Sequence, residues 1–170
     1  MTAALLGEGA GEMPALNFHT ALEEKAIHLH FSAGKDTLSG TMQTLVEHLD
    51  VAANLTSLAL TRPRLDEDAI ERIRQQQLAD IAYNAQLPSS LAKQGWWRTA
   101  FPDHPYGRPS EGTEKTVATL TKADFQAHIA AGLAQDNLSV GVAGDITAQQ
   151  AAVLVDHLFA NLPKTSSLPD

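Results

Sequence analysis

Cysteine is absent from the 170 residues, which excludes disulfide staples and thiolate metal sites. It does not fix the compartment, since many periplasmic domains lack cysteine too. Basic residues are scarce: 12 Lys and Arg stand against 20 Asp and Glu, a formal charge of −8, and they never form a run of three. A nucleic-acid groove is therefore not expected. No apolar stretch approaches the roughly 18 residues that would read as a membrane span. The opening residues Met1-Thr-Ala-Ala-Leu-Leu-Gly-Glu8 carry no basic region ahead of an apolar one and are not a signal peptide. Nor is there an internal repeat, a G-x-S-x-G nucleophile elbow, or a glycine-rich loop joining a strand to a helix.

What remains is an ordinary globular composition, 44% hydrophobic and 19% charged, too apolar for a disordered tail. One domain is the default at this length, able to bury roughly 70% of its unfolded surface.

The periodicity assigns the elements. Met1 to Glu8 reads as the middle of a helix, broken by Gly7, Gly9 and Gly11. Pro14 starts a second helix with Leu16, Phe18, Leu22 and Ile27 on its buried face and Glu23, Glu24 and Lys25 toward solvent. From Ile27 the period becomes two: Ile27, Leu29 and Phe31 alternate with His28, His30 and Ser32, a half-buried strand. Gly34-Lys35-Asp36 turns the chain and Thr37 to Gln43 returns as its hairpin partner. Thr44 to Thr61 forms a helix of about four turns that carries Leu45, Leu49, Val51, Ala52, Leu55, Leu58 and Leu60, ended by Arg62-Pro63-Arg64. Asp66 caps the next, to about Ala85, with Ile70, Ile73, Leu78 and Ile81 inward. A shorter helix from Leu87-Pro88 carries Trp96 and Trp97, and Phe101 to Pro109 is an ordered loop.

Thr121 and Asp124 form a variant of the capping box at the head of a helix running to about Leu133. Asn137 to Gly144 alternates again and reads as a strand. A last helix after Thr147 holds Ala151, Val153, Leu154, Val155, Leu158 and Phe159. The expected fold is α+β, an antiparallel sheet packed against helices. Residues 1–163 form the domain and 164–170 a linker or frayed tail.

Chemistry is harder to find. Of seven histidines, His28 and His30 share one face of a strand and could chelate a metal, but no third ligand accompanies them and a polar outer face is the plainer reading. His48 follows Glu47 without an HExxH or HxxEH motif, and His157 reads as a surface residue. Ser39 and Ser90 lack the setting of a nucleophile. Glu23 and Glu24 lie on a solvated face. The sequons at Asn54 and Asn137 carry no weight.

Three segments taken together carry a resemblance. Phe101-Pro-Asp-His-Pro-Tyr-Gly-Arg-Pro109 precedes Gly112-Thr-Glu-Lys-Thr-Val-Ala-Thr-Leu-Thr-Lys-Ala-Asp-Phe125. After a helix comes Asp136-Asn-Leu-Ser-Val-Gly-Val-Ala-Gly-Asp145, then Ile146-Thr147 and the closing helix to Leu162-Pro163. Their order and spacing resemble the first half of the insulinase/pitrilysin metallopeptidases, the inverzincins, which include the mitochondrial processing peptidases. Leu60 to Gln77, with Pro63, Asp66 and Glu71-Arg72, looks like the family's helix before its acidic zinc ligand. The similarity covers nearly the whole chain.

The resemblance implies a fold and an activity, but this sequence departs from the family where the chemistry sits. Active members carry H-x-x-E-H on a helix, two histidines holding zinc and the glutamate activating water. Here those positions fall on Ala4, Gly7 and Glu8, and the downstream acidic ligand near Gln76 or Gln77. No catalytic residue, no metal site and no cofactor are expected, although active relatives use zinc. The opening inside a helix further implies a first half-unit trimmed at its N-terminus, with its first strands missing.

By the same resemblance, the expected role is that of a non-catalytic partner or scaffold for an active zinc protease. That partner would be a homologous zinc peptidase subunit or the second half of the same polypeptide. Peptide would lie along the strand edge at His30, Phe31 and Ser32. Two alternatives stand beside it: an active zinc endopeptidase whose ligands lie elsewhere, such as His28 and His30, and a peptide-binding module with no protease partner. Soluble bacterial cytoplasm and periplasm are both open.

Overall fold

The computed structural model describes residues 1–168. Gly7 and Gly9 confine the first helix, α1 (Thr2–Leu5), to little more than one turn. The chain then makes a two-residue ladder, β1 (Gly9–Ala10) with β2 (Met13–Pro14). Gly9 has φ 101°, and a Cβ there would lie 2.7 Å from the Met13 carbonyl oxygen, so the residue must be glycine. Backbone bonds from Gly11 N to Arg62 O (2.9 Å) and from Arg64 N to Gly9 O (3.2 Å) fasten this corner to the segment around Pro63.

Helix α2 (Ala15–Glu23) buries Phe18 and Leu22, but Leu16 is 77% exposed, because it lies outside the stripe that α2 turns toward the core. The helix ends in a Schellman motif: Ile27 N reaches Leu22 O (2.9 Å) and Ala26 N reaches Glu23 O (3.0 Å), with Ala26 at φ 49° where glycine is usual. Strand β3 (His28–Ala33) pairs antiparallel with β4 (Leu38–Gln43), Phe31 opposite Gly40 and His28 opposite Gln43. Phe31 is buried while His28, His30 and Ser32 are exposed, the alternation expected of a half-buried strand.

A turn of 3₁₀ helix at Val46–His48 precedes α3 (Leu49–Thr61), so the α-helix begins later than expected, and Leu45 and Val51 are exposed. From α3, Ala52, Leu55, Ala59 and Leu60 join Leu6, Phe18, Leu22, Ile27, Phe31 and Leu162 in the main core. Helix α4 (Glu67–Asn84) buries Ala69, Ile70 and Ile73; Leu78 and Ile81 are half-buried. Asp66 occupies the N-cap position without capping, because its carboxylate takes the Arg64 guanidinium at 2.7 and 3.2 Å. A second core gathers Leu5, Leu65, Ala69, Ile70, Ile73 and Phe125.

Helix α5 (Pro88–Ala100) buries none of its residues. Trp97 instead stacks on Phe101 at 5.3 Å and meets Tyr106 edge-on at 6.0 Å. Gly107 is obligatory in this loop, since a Cβ would fall 2.1 Å from the Phe101 carbonyl oxygen. Lys35 from the β3–β4 turn lies 4.5 Å over the Trp97 ring, and the Tyr106 hydroxyl donates to Asp36 at 2.6 Å, which fastens the hairpin tip to the loop. Helices α6 (Glu114–Thr119) and α7 (Lys122–Gly132) both open with capping boxes, at Thr113 and Thr121. The Arg74 guanidinium locks α6 to α4 by donating to Val117 O (2.5 Å) and Leu120 O (2.8 Å).

One expected element does not form: residues 138–143 contribute to no strand, and no described backbone group bonds to them. Their alternating sequence gives extended chain, but a strand exists only by hydrogen bonding to a neighbour, and none lies alongside. Helix α8 (Ala148–Phe159), capped by Thr147, closes on α3 through Leu154, Leu158 and Ala53, whereas Val153 is 69% exposed, on the side of α8 turned away from α3. The segment after Pro163 returns along α7, with Ser167 N on Ala131 O at 3.0 Å and Ser166 N on the Asp136 carboxylate at 2.9 Å. The architecture is α+β, with short antiparallel ladders packed among helices. No helix among the described residues is long and apolar enough to cross a membrane.

Candidate functional site

Three of the residues singled out by the resemblance meet where α1 faces α4. Ala4 lies on α1; Gly7 and Glu8 lie beyond its end, in a turn made by Gly7 N to Ala4 O (3.2 Å) and Glu8 N to Leu5 O (3.1 Å). Positions 4 and 8 are thus not one regular α-helical turn apart, as ligands of an H-x-x-E-H helix must be. Glu8 turns toward α4, where its carboxylate pairs with the Arg72 guanidinium. The Glu8 side chain is 16% exposed and that of Arg72 60%, so the carboxylate is the shielded partner. On α4 Gln77 donates to Glu111 O at 3.3 Å and Gln76 to Asp80 at 2.9 Å.

These residues do not fit a zinc ion. Ala4 and Gly7 offer no side-chain donor, Glu8 is taken by a cation, and Gln76 and Gln77 supply amides where a carboxylate is required. Arg72 was not read from the sequence as a partner of Glu8. The missed signal was a basic residue, Arg72, on the helix that faces Glu8.

The histidines are dispersed. His28 and His30 point outward from β3, His48 lies 3.9 Å from Glu47, and His157 bonds to Asn54 at 2.8 Å. Among the described residues no three His, Asp or Glu side chains are grouped to hold a metal. Along the proposed peptide edge, His30 and Ser32 are exposed, but Phe31 is buried, its ring turned onto Gly40. Phe31 can therefore offer only its main chain.

Comparison with known proteins bears on this geometry. The fold superimposes on the crystal structure of a peptidase M16 inactive domain from Pseudomonas fluorescens with a TM-score of 0.93 and 26% identity, over 99% of this chain and 41% of that one. In sequence the chain is 26% identical over 162 residues to the non-peptidase homologue YmxG of Helicobacter pylori, covering 95% of this chain and 38% of the relative. It is 27% identical over 145 residues to an uncharacterised zinc protease of Rickettsia felis, covering 82% of this chain and 35% of that protein. Sequence and fold together support an inactive-type half-unit similar to those of the insulinase/pitrilysin family. No family model matches it. It spans about two-fifths of the length of these relatives.

The likeness to the insulinase/pitrilysin family rests on residues that shape the framework. Pro102, Pro105, Gly107 and Pro109 shape the loop that receives Lys35, and Asn137 caps the end of α7 by donating to Gly132 O at 2.8 Å. These are framework roles, independent of zinc.

Proposed function

We propose that this half-unit serves as the non-catalytic partner of an active zinc peptidase, either a homologous subunit or the second half of the same polypeptide. In this role it holds peptide without cutting it. The observation that carries the reading is the Glu8–Arg72 pair. It fills the space between α1 and α4 with an ion pair where the family's chemistry would need three ligands and a base. Peptide would add as a strand along β3, its main chain bonding at His30, Phe31 and Ser32, with the exposed His30 and Ser32 side chains available to its side chains. The reading also has 1–163 as the unit and 164–170 as the link onward.

The test uses the full-length parent protein. Purified alone, it is expected to hold no tightly bound zinc and to leave a fluorogenic peptide library intact. Mixed with a homologue bearing H-x-x-E-H, it is expected to co-purify and to raise that enzyme's turnover several-fold. Chelator-sensitive proteolysis by the parent protein alone would sink the non-catalytic reading. Inability to bind or stimulate an H-x-x-E-H homologue from the same source would sink the partner role.

A further inference from the structure

The outer face of the β3–β4 hairpin gathers side chains that the α1–α4 region does not use. Strand β3 sends Leu29 and Phe31 toward the core and leaves His28 and His30 exposed on the opposite side. Residues two apart on a strand share a face and stand about 6.6 Å apart along it. On β4, Met42 packs on the core, while Thr41 and Gln43 are exposed. The register sets Gln43 directly opposite His28 and Thr41 directly opposite His30. Opposed residues of an antiparallel pair share a face, with Cβ atoms about 4.5–5.5 Å apart.

Two imidazoles and two oxygen-bearing side chains therefore stand at the corners of one patch, on a support fixed by strand pairing. Their donor atoms are uncommitted. His104 accepts from Tyr106 N, His157 bonds to Asn54 and His48 lies beside Glu47. No described side-chain hydrogen bond or ion pair engages His28 or His30.

The spacing of the histidines in sequence offers two nitrogens and no third donor, too few to close a tetrahedral zinc site. The register changes that donor set, because the returning strand adds the Gln43 amide oxygen and the Thr41 hydroxyl. Neighbouring imidazoles beside neutral oxygens, open to water, suit a tetragonal nitrogen–oxygen shell, the preference of copper(II). Copper(II) also heads the affinity order of the divalent first-row ions for such donors.

We propose that this face of the hairpin is a copper(II)-binding site, with His28 and His30 as its two nitrogen ligands and Gln43, Thr41 and water completing the shell. The site lies apart from Ala4, Gly7 and Glu8. It requires neither zinc nor a protease partner, so it stands independently of the role proposed above.

The experiment titrates the chain with copper(II) chloride in a weakly coordinating buffer, without peptide. The seven histidine rings are followed by NMR, and the bound ion by its EPR spectrum. One equivalent is expected to bind in the micromolar range. At substoichiometric metal, paramagnetic broadening should be confined to His28, His30 and their strand neighbours, with hyperfine structure from two imidazole nitrogens. His28→Gln or His30→Gln is expected to weaken binding about a hundred-fold, the gain that an intramolecular second ligand brings. His128→Gln should leave it unchanged, and Thr41→Val with Gln43→Val should weaken it several-fold. His30→Gln combined with Ser32→His keeps two histidines on the face but doubles their spacing, and is expected to bind no better than His30→Gln alone. Broadening spread over the other histidines would overturn the site. So would no binding at millimolar copper, single variants no weaker than His128→Gln, or full affinity in the respaced pair.

Discussion

Glu8 and Arg72 differ in shielding, and the difference makes the pair testable. A carboxylate 16% exposed has given up most of its water, whereas a guanidinium 60% exposed has kept most of its own. At about 4 Å and an effective dielectric near 20, two unit charges attract by about 4 kcal/mol, but desolvation and ordering leave exposed pairs with only about 0.2–1 kcal/mol net. The cost of deletion depends on which partner is left behind. Removing the guanidinium strands a shielded acceptor, at about 1–3 kcal/mol. Arg72→Met is therefore expected to cost about 1.5 kcal/mol, lowering Tm by about 3–6 °C for a domain of this size. Glu8→Gln should cost about 0.5 kcal/mol, because the guanidinium relaxes into solvent. The double variant should be no less stable than Arg72→Met alone, since a neutral amide no longer needs the cation. Urea unfolding of the four proteins, with m-values checked for constancy, measures the cycle. Equal losses from the two single changes, or strict additivity, would refute the account of a shielded carboxylate held by a surface cation.

Other consequences are as direct. Ala26→Gly at the left-handed end of α2 is expected to raise stability by about 0.5–1 kcal/mol in the same urea assay, because the L-residue at φ 49° carries a cost that glycine avoids. Asp124 is held below the usual carboxylate range by the Thr121 hydroxyl and then by the Thr121 backbone N–H. Its contribution is present above the unfolded carboxylate's pKa and lost as pH falls through the folded one. Thr121→Ala should flatten that acid limb in a stability–pH profile. The Tyr106 phenol is raised above its ordinary value, chiefly by its hydrogen bond to Asp36. That contribution is complete below the unfolded phenol's pKa and disappears as pH rises through the folded one. Tyr106→Phe should remove this alkaline limb and speed amide exchange at Gly34–Thr37.

Local chemistry was legible wherever it was complete within a few residues. The β3–β4 hairpin follows from period-two alternation around Gly34-Lys35-Asp36, and the box at Thr121 and Asp124 from a spacing of three. Legibility fell where a residue's fate depended on a distant partner. Residues 138–143 have a strand's sequence, but pairing requires a second chain segment, which no local pattern supplies. Asp66 stands where a cap belongs, yet Arg64 two residues earlier claims its carboxylate. Leu16, Leu45, Val51 and Val153 satisfy an apolar rule whose direction only the packed neighbours decide. At the candidate site, the resemblance puts the H-x-x-E-H positions on Ala4, Gly7 and Glu8. The ion pair that Glu8 makes was not legible, because Arg72 lies 64 residues further on.

Leu5 and Leu6 are adjacent, and both are fully inaccessible. One enters the cluster of Ile70 and Phe125 and the other that of Phe18 and Phe31. A single helical turn thereby acts as a rivet through two hydrophobic bodies, both of which Ile129 also borders, so neither can loosen without pulling on the other. Melting should consequently be one event rather than two, with α3 and α4 amides reporting a common opening free energy. Shaving either leucine to alanine would part that unity before it abolished the fold. The first turn, which in catalytic kin would carry chemistry, is retained here as the joint that makes the domain cooperative.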